Sequence, residues 1–124
     1  AKAALANDIP VVLGNDVGCP WITQYDFWRE LCYFRKYVGI SNAFALHTAT
    51  GRAAEVMGLG SVTGTIEVGK CADLIVTRED PLADLRALRS IDLVVARGRR
   101  YDAPRVKHNA LVTAELDRFL PGND

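Results

Sequence analysis

Histidine is nearly missing from this chain. His47 and His108 are its only two; they fall in separate segments and match no common metal-ligand spacing, which excludes a histidine-built metal centre confined to these residues. Cysteine is scarce as well. Cys19, Cys32 and Cys71 form an odd set without a C-x-x-C pair, which suits reduced thiols better than a disulfide frame or a structural zinc site. Long apolar runs are absent: no stretch approaches the roughly 18 residues that span a bilayer, and no apolar core follows Lys2 as in a secretory leader. Charge of one sign is lacking too, because 15 basic residues balance 15 acidic ones. That balance gives no bulk field to favour nucleic acid or an anionic membrane. These absences lead us to expect a soluble, cytoplasmic protein with neither a nucleic-acid nor a membrane partner.

What is present is enough for one domain: 124 residues, 13.6 kDa and 49% hydrophobic residues, without an internal repeat or a low-complexity tract. Residues 9–15, "IPVVLGN", form a short continuous apolar run behind Pro10, the pattern of a strand covered on both faces. It stops at Asp16, between Gly14 and Gly18. From Thr23 to Tyr37, Phe27, Leu31 and Phe34 recur at helical spacing, and Gly39 ends the stretch. Ser41 supplies an N-cap for a second helix running to about Met57, with Ala43, Leu46, Thr50, Ala53 and Met57 on one face. Beyond residue 60 the period changes. "GTIEVGKCADLIVT" and "SIDLVVARGRRYD" read as three or four strands, the second a hairpin turning near Arg97 and Gly98. Between them Leu82, Leu85 and Leu88 suit a short helical turn, and a last helix is expected over Val106–Leu120. A lone buried strand at 9–15 needs neighbours on both edges, and nothing else here offers a parallel partner. The fold is therefore expected to be incomplete on its own.

Several segments together resemble one family. "VVLGNDVG", "WRELCYFRKYVGISNAFALHTATGRAAEVMGL", "GTIEVGKCADLIVTREDPLADLRAL" and "VVARGRRY" are similar, in order and spacing, to the C-terminal third of the metal-dependent amidohydrolase superfamily. The group nearest in flavour holds imidazolonepropionase-like enzymes and Xaa-Pro dipeptidases. The resemblance spans residues 9–101, and its most specific part is the Gly-x-Ile turn, the Gly-Lys-x-Ala-Asp-Leu run and the Asp-Pro-Leu stop.

It implies an α/β fold: the last strand-helix units of a (β/α)8 barrel over 1–60, the C-terminal strands of a small β-sandwich over 61–105, and a C-terminal helix over 106–124. Asp16 would then stand at the C-terminal face of the last barrel strand, where barrel enzymes keep their chemistry. There it would act as metal ligand and general base toward an amide, peptide-like or cyclic amide bond, with one or two divalent ions, zinc above all, as cofactor. Cys19, Trp21 and Tyr25, in the loop after Asp16, are the candidate lining of the substrate pocket. Lys70 and Asp73 would be turn and packing residues. The sequence departs from the family pattern at Asn15, where Thr is common, and in "CPWITQYD", which lacks the histidine often found there. The family's remaining metal ligands are absent from this chain. The resemblance thus implies that these residues are inactive alone and form the last part of a protein of about 400 residues, in the size range of barrel enzymes with added segments.

Blander readings stand beside these. Asp16 taken alone suits a strand-end turn. Cys19 suits a plain loop thiol, His47 a half-buried helix histidine, and Asp26 with Glu30 a solvated i, i+4 pair. "GLGSVTG" is no dinucleotide loop, because it follows a helix and precedes a strand. The basic cluster of Arg97, Arg99, Arg100, Arg105 and Lys107 reads as a charged hairpin tip. Two other functions use the same residues differently: a short non-catalytic binding module, or half of a split enzyme completed by a partner chain. A homo-oligomer fits any of them.

Overall fold

The computed structural model describes residues 1–120. Helix α1 (Lys2–Ala6) is followed by the apolar segment 9–15, then α2 (Trp28–Val38), α3 (Asn42–Ala49) and α4 (Gly51–Val56). Strand β1 (Leu74–Thr77), a 3₁₀ turn (Leu85–Arg89), β2 (Ile91–Ala96), β3 (Arg99–Asp102) and α5 (Ala110–Asp117) complete it. The α/β character is as expected, although α1 has no counterpart in the sequence pattern.

The expected strand over 9–15 does not form. A strand is made by its ladder, and among the described residues no segment pairs with this one. The segment is instead held by Leu13, whose side chain packs on the core and whose N–H donates to the Thr48 carbonyl at 3.4 Å. The core itself is small: Trp28, Leu31 and Cys32 of α2 meet Ala45 of α3, Leu85 of the 3₁₀ turn and Leu120. Burial of Cys32 pushes its thiol up to about 11, so it behaves as a small apolar filler.

Two helical expectations are refined. Residues 23–27 form turns rather than the first turn of α2, and the single helix expected to Met57 is two, broken at Thr50 (φ −127°, ψ −97°). Thr50 Oγ1 donates to the Leu46 carbonyl at 2.8 Å, a local bond that competes with the helical ladder. Ser41 does cap α3, accepting from the Phe44 N–H at 3.1 Å. The inward face differs from the one expected: Ala45, Thr48, Gly51 and Ala54 are buried, whereas Ala43, Thr50 and Met57 are exposed. Small residues on that face allow a close approach. Gly64 sits at φ +95° against α4, where a Cβ would lie 2.5 Å from the Ala54 Cβ.

The sheet is antiparallel in the order β1-β2-β3, with a register shift between Val76 and Thr77. Arg97 (φ +50°) and Gly98 (φ +77°) make the two-residue hairpin between β2 and β3, as expected; two left-handed residues match the twist of the strands they join. Asp73 braces this turn, accepting from the Arg97 N–H at 2.6 Å and the Thr63 hydroxyl at 3.0 Å. Those two donors hold its carboxyl below the usual value. Within the basic cluster, Arg100 pairs with Asp102 at 2.7 Å and Arg99 lies over Tyr101, which is how a charged hairpin spends its cations. No described helix is long and apolar enough to cross a membrane.

Candidate functional site

The segment that carries Asp16 is a staircase of three turns. Asp16 accepts at its carbonyl from the Cys19 N–H, Cys19 from Ile22, and Thr23 from Asp26, each at 3.1 to 3.2 Å. Gly18 takes φ +111°, a conformation glycine adopts at no steric cost. Trp21 takes φ +70°, which for a bulky residue costs about 1–3 kcal/mol and persists only where its surroundings impose it.

Asp16 is exposed, and its Oδ2 accepts from the Cys19 thiol at 3.1 Å. This bond, with a smaller contribution from burial, raises the thiol above its ordinary value. The bond thus disfavours the thiolate form that a nucleophile or a soft metal ligand needs. Trp21 stands out of the same loop, 59% exposed. Asp16, Cys19 and Trp21 thus share one open loop. Tyr25 leaves it: its hydroxyl accepts from the Asn109 N–H at 3.2 Å and its ring meets His108 edge-on at 4.4 Å, so it fastens the segment before α5.

Beneath the loop lies a charged cluster that the sequence did not reveal. Asp26 is buried, not solvated. It accepts from the Thr23 hydroxyl at 2.7 Å and the Trp28 indole N–H at 3.1 Å, and it lies 3.4 Å from the Arg29 guanidinium. Arg29, only 3% exposed, pairs at 2.8 Å with Asp117 of α5, which also receives Arg89 at 3.2 Å. Both guanidinium groups lie over the Trp28 ring, at 4.6 and 5.1 Å. The i, i+3 spacing of Asp26 and Arg29 was the available signal; Asp117, far along the chain, gave none. The cluster fixes the foot of the Asp16 loop to α2 and α5.

Among the described residues no three His, Cys, Asp or Glu side chains converge. His47 rests near Phe44 and His108 against Tyr25. Were a divalent cation held here, the exposed Asp16 carboxylate could supply one of its ligands.

An amidohydrolase family model matches residues 1–108. The chain belongs to the amidohydrolase family. No curated protein matches it. Among solved structures, this amidohydrolase chain is similar to a candidate prolidase from Bifidobacterium longum, with 41% identity and a TM-score of 0.90, covering 94% of this chain and 29% of that one. A Xaa-Pro dipeptidase with methionine bound in its active site matches at 27% identity and a TM-score of 0.72, over 82% of this chain and 24% of that one. A prolidase complexed with N-methylphosphonate-L-proline matches at 26% identity and a TM-score of 0.68, over 82% and 25%. The amidohydrolase chain thus spans between a quarter and three tenths of the length of these relatives. Its mixed α/β structure with a three-stranded antiparallel sheet resembles the C-terminal part of such structures.

Proposed function

We propose that this chain is the C-terminal segment of a metal-dependent amidohydrolase that cleaves an amide or dipeptide-like bond, with Asp16 at the reaction centre. The observation that carries the reading is the exposed Asp16 carboxylate at the end of an apolar segment, in a chain of this family. In the complete protein, segment 9–15 would find the neighbours it lacks here and become the last barrel strand, and the three-stranded sheet would complete a small β-sandwich.

Asp16 would supply one ligand to a divalent cation of the zinc type, alone or as one of two, and other segments the rest. Such a cation lowers the pKa of a bound water to about 7. Asp16 would take the proton of the attacking water on a carboxylate oxygen and return it to the departing amine. The relatives described as prolidases and Xaa-Pro dipeptidases make dipeptides ending in proline the first substrates to try.

The test is Asp16→Asn in the full-length protein. The amide isostere cannot accept a proton, so kcat is expected to fall by about 10²–10⁴-fold, the usual worth of a general base, with the circular dichroism spectrum unchanged. Turnover near that of the parent protein would sink the mechanism.

A further inference from the structure

Residues 109–120 lie beyond those the family model matches, yet they grip the base of the Asp16 loop at three points. We propose that this segment is a clamp that positions Asp16 for the reaction, with Asp117 as its main positioning residue. The proposal rests on the reading of Asp16 given above.

The first point is ionic. Asp117 of α5 meets the Arg29 guanidinium at 2.8 Å, and Arg29 faces the buried Asp26 at 3.4 Å. Asp26 receives the Thr23 hydroxyl at 2.7 Å and returns its own N–H to the Thr23 carbonyl at 3.2 Å. Beyond the Ile22–Thr23 peptide bond, the Ile22 N–H closes a turn on Cys19, and the Cys19 N–H closes the next on Asp16. Contacts of the kind that carry energetic coupling therefore succeed one another from α5 to Asp16. The second point is Tyr25, whose hydroxyl accepts from the Asn109 N–H at 3.2 Å. The third is apolar: Leu120, 2% exposed, lies in the core with Trp28 and Leu31, and Leu13 packs on that same core from the other side of Asp16. The clamp thus bears on the chain both before and after the acid. Turns fix their own residues only at short range, and Trp21, at φ +70°, keeps its conformation only where its surroundings impose it. With Arg29 only 3% exposed, the loss of Asp117 leaves a buried cation half compensated, so α5 and the foot of the loop are held as one unit.

The experiment compares the full-length protein with Asp117→Asn, Asp117→Glu and Tyr25→Phe, by hydrogen exchange and by kcat and KM for alanyl-proline. Asp117→Asn keeps the shape and removes the charge. It is expected to speed exchange in residues 16–26 at least about fivefold with the β1–β3 sheet unchanged. Its kcat is expected to fall at least about fivefold with KM within about twofold of the parent, as displacement of a reacting group by a fraction of an ångström does. Asp117→Glu, which restores the charge, is expected to recover at least half of both effects; a Glu variant no better than the Asn one overturns the role of Asp117. A smaller rise in exchange overturns the proposal. Faster exchange without the fall in kcat leaves only a strut, and a change confined to KM makes the segment a substrate wall; either overturns it. If Asp117→Asn loosens the sheet as well, Tyr25→Phe decides: exchange in residues 16–26 at least about threefold faster, the worth of one hydrogen bond, sustains the clamp, and a smaller change overturns it. If the parent does not cleave the dipeptide, the hydrolase reading falls by itself, and the exchange comparison alone then decides the clamp.

Discussion

At the scale of single residues, Cys19 and Asp16 constrain one another. The thiol donates to the carboxylate, and the thiolate would face a negative charge in place of that bond, so ionisation of Cys19 is displaced upward. The sign gives a prediction. At a pH near 8 the thiolate fraction is reduced, and alkylation of Cys19 by iodoacetamide, followed by peptide mass spectrometry, should run about threefold or more faster in Asp16→Asn than in the parent. Equal rates would mean that the bond is not kept in solution. Asp16 stands out in the sequence only through the flanking motifs of the family resemblance, since an acid bounded by glycines at the end of "VVL" suits a strand-end turn equally well. Asp26 was not legible, since its partners include an indole N–H and a guanidinium whose orientation depends on the folded α2. Tyr25 was legible only as an aromatic near the site; its bond to Asn109 joins residues whose proximity no local pattern encodes.

Among the elements, α2 carries the most consequence, because it buries Arg29 between Asp26 and Asp117 while presenting Trp28, Leu31 and Cys32 to the core. Arg29→Met keeps the stem and removes the charge, leaving a buried acid and a half-buried one facing each other. Removing one member of such a pair typically costs about 3–5 kcal/mol, so a loss of that order is expected in urea unfolding. A loss below about 1 kcal/mol would show that the cluster adds no more than a surface ion pair does. The elements that local chemistry determines were readable: the Ser41 cap, the Gly39 stop and the Arg97–Gly98 hairpin each rest on a residue type with a backbone preference. The elements that depend on distant partners were not. Segment 9–15 has the composition of a strand but no ladder here, and the helix over 42–57 breaks because the Thr50 hydroxyl offers its own turn an alternative bond.

The whole molecule exposes 8414 Å², about a quarter more than the roughly 6,600 Å² expected for a compact monomer of this mass. Ile66, Val68, Met57 and Leu111 are each at least 71% exposed. Surface of that kind seeks cover. The chain studied by itself is expected to bind a hydrophobic dye such as ANS and to self-associate in sedimentation, and a monodisperse monomer without dye binding would contradict this. Fold class and family were legible because they rest on local runs and motif order, whereas the surface awaiting cover is a property of parts not seen together in any window of sequence. The pairing of Arg29 with Asp117 also bears on the order of synthesis. A ribosome makes α2 long before residue 117 emerges, so until then the nascent chain can neutralise Arg29 with Asp26 alone. Full neutralisation of Arg29 must therefore wait for α5, which couples the docking of α2 to a segment made about 80 residues later.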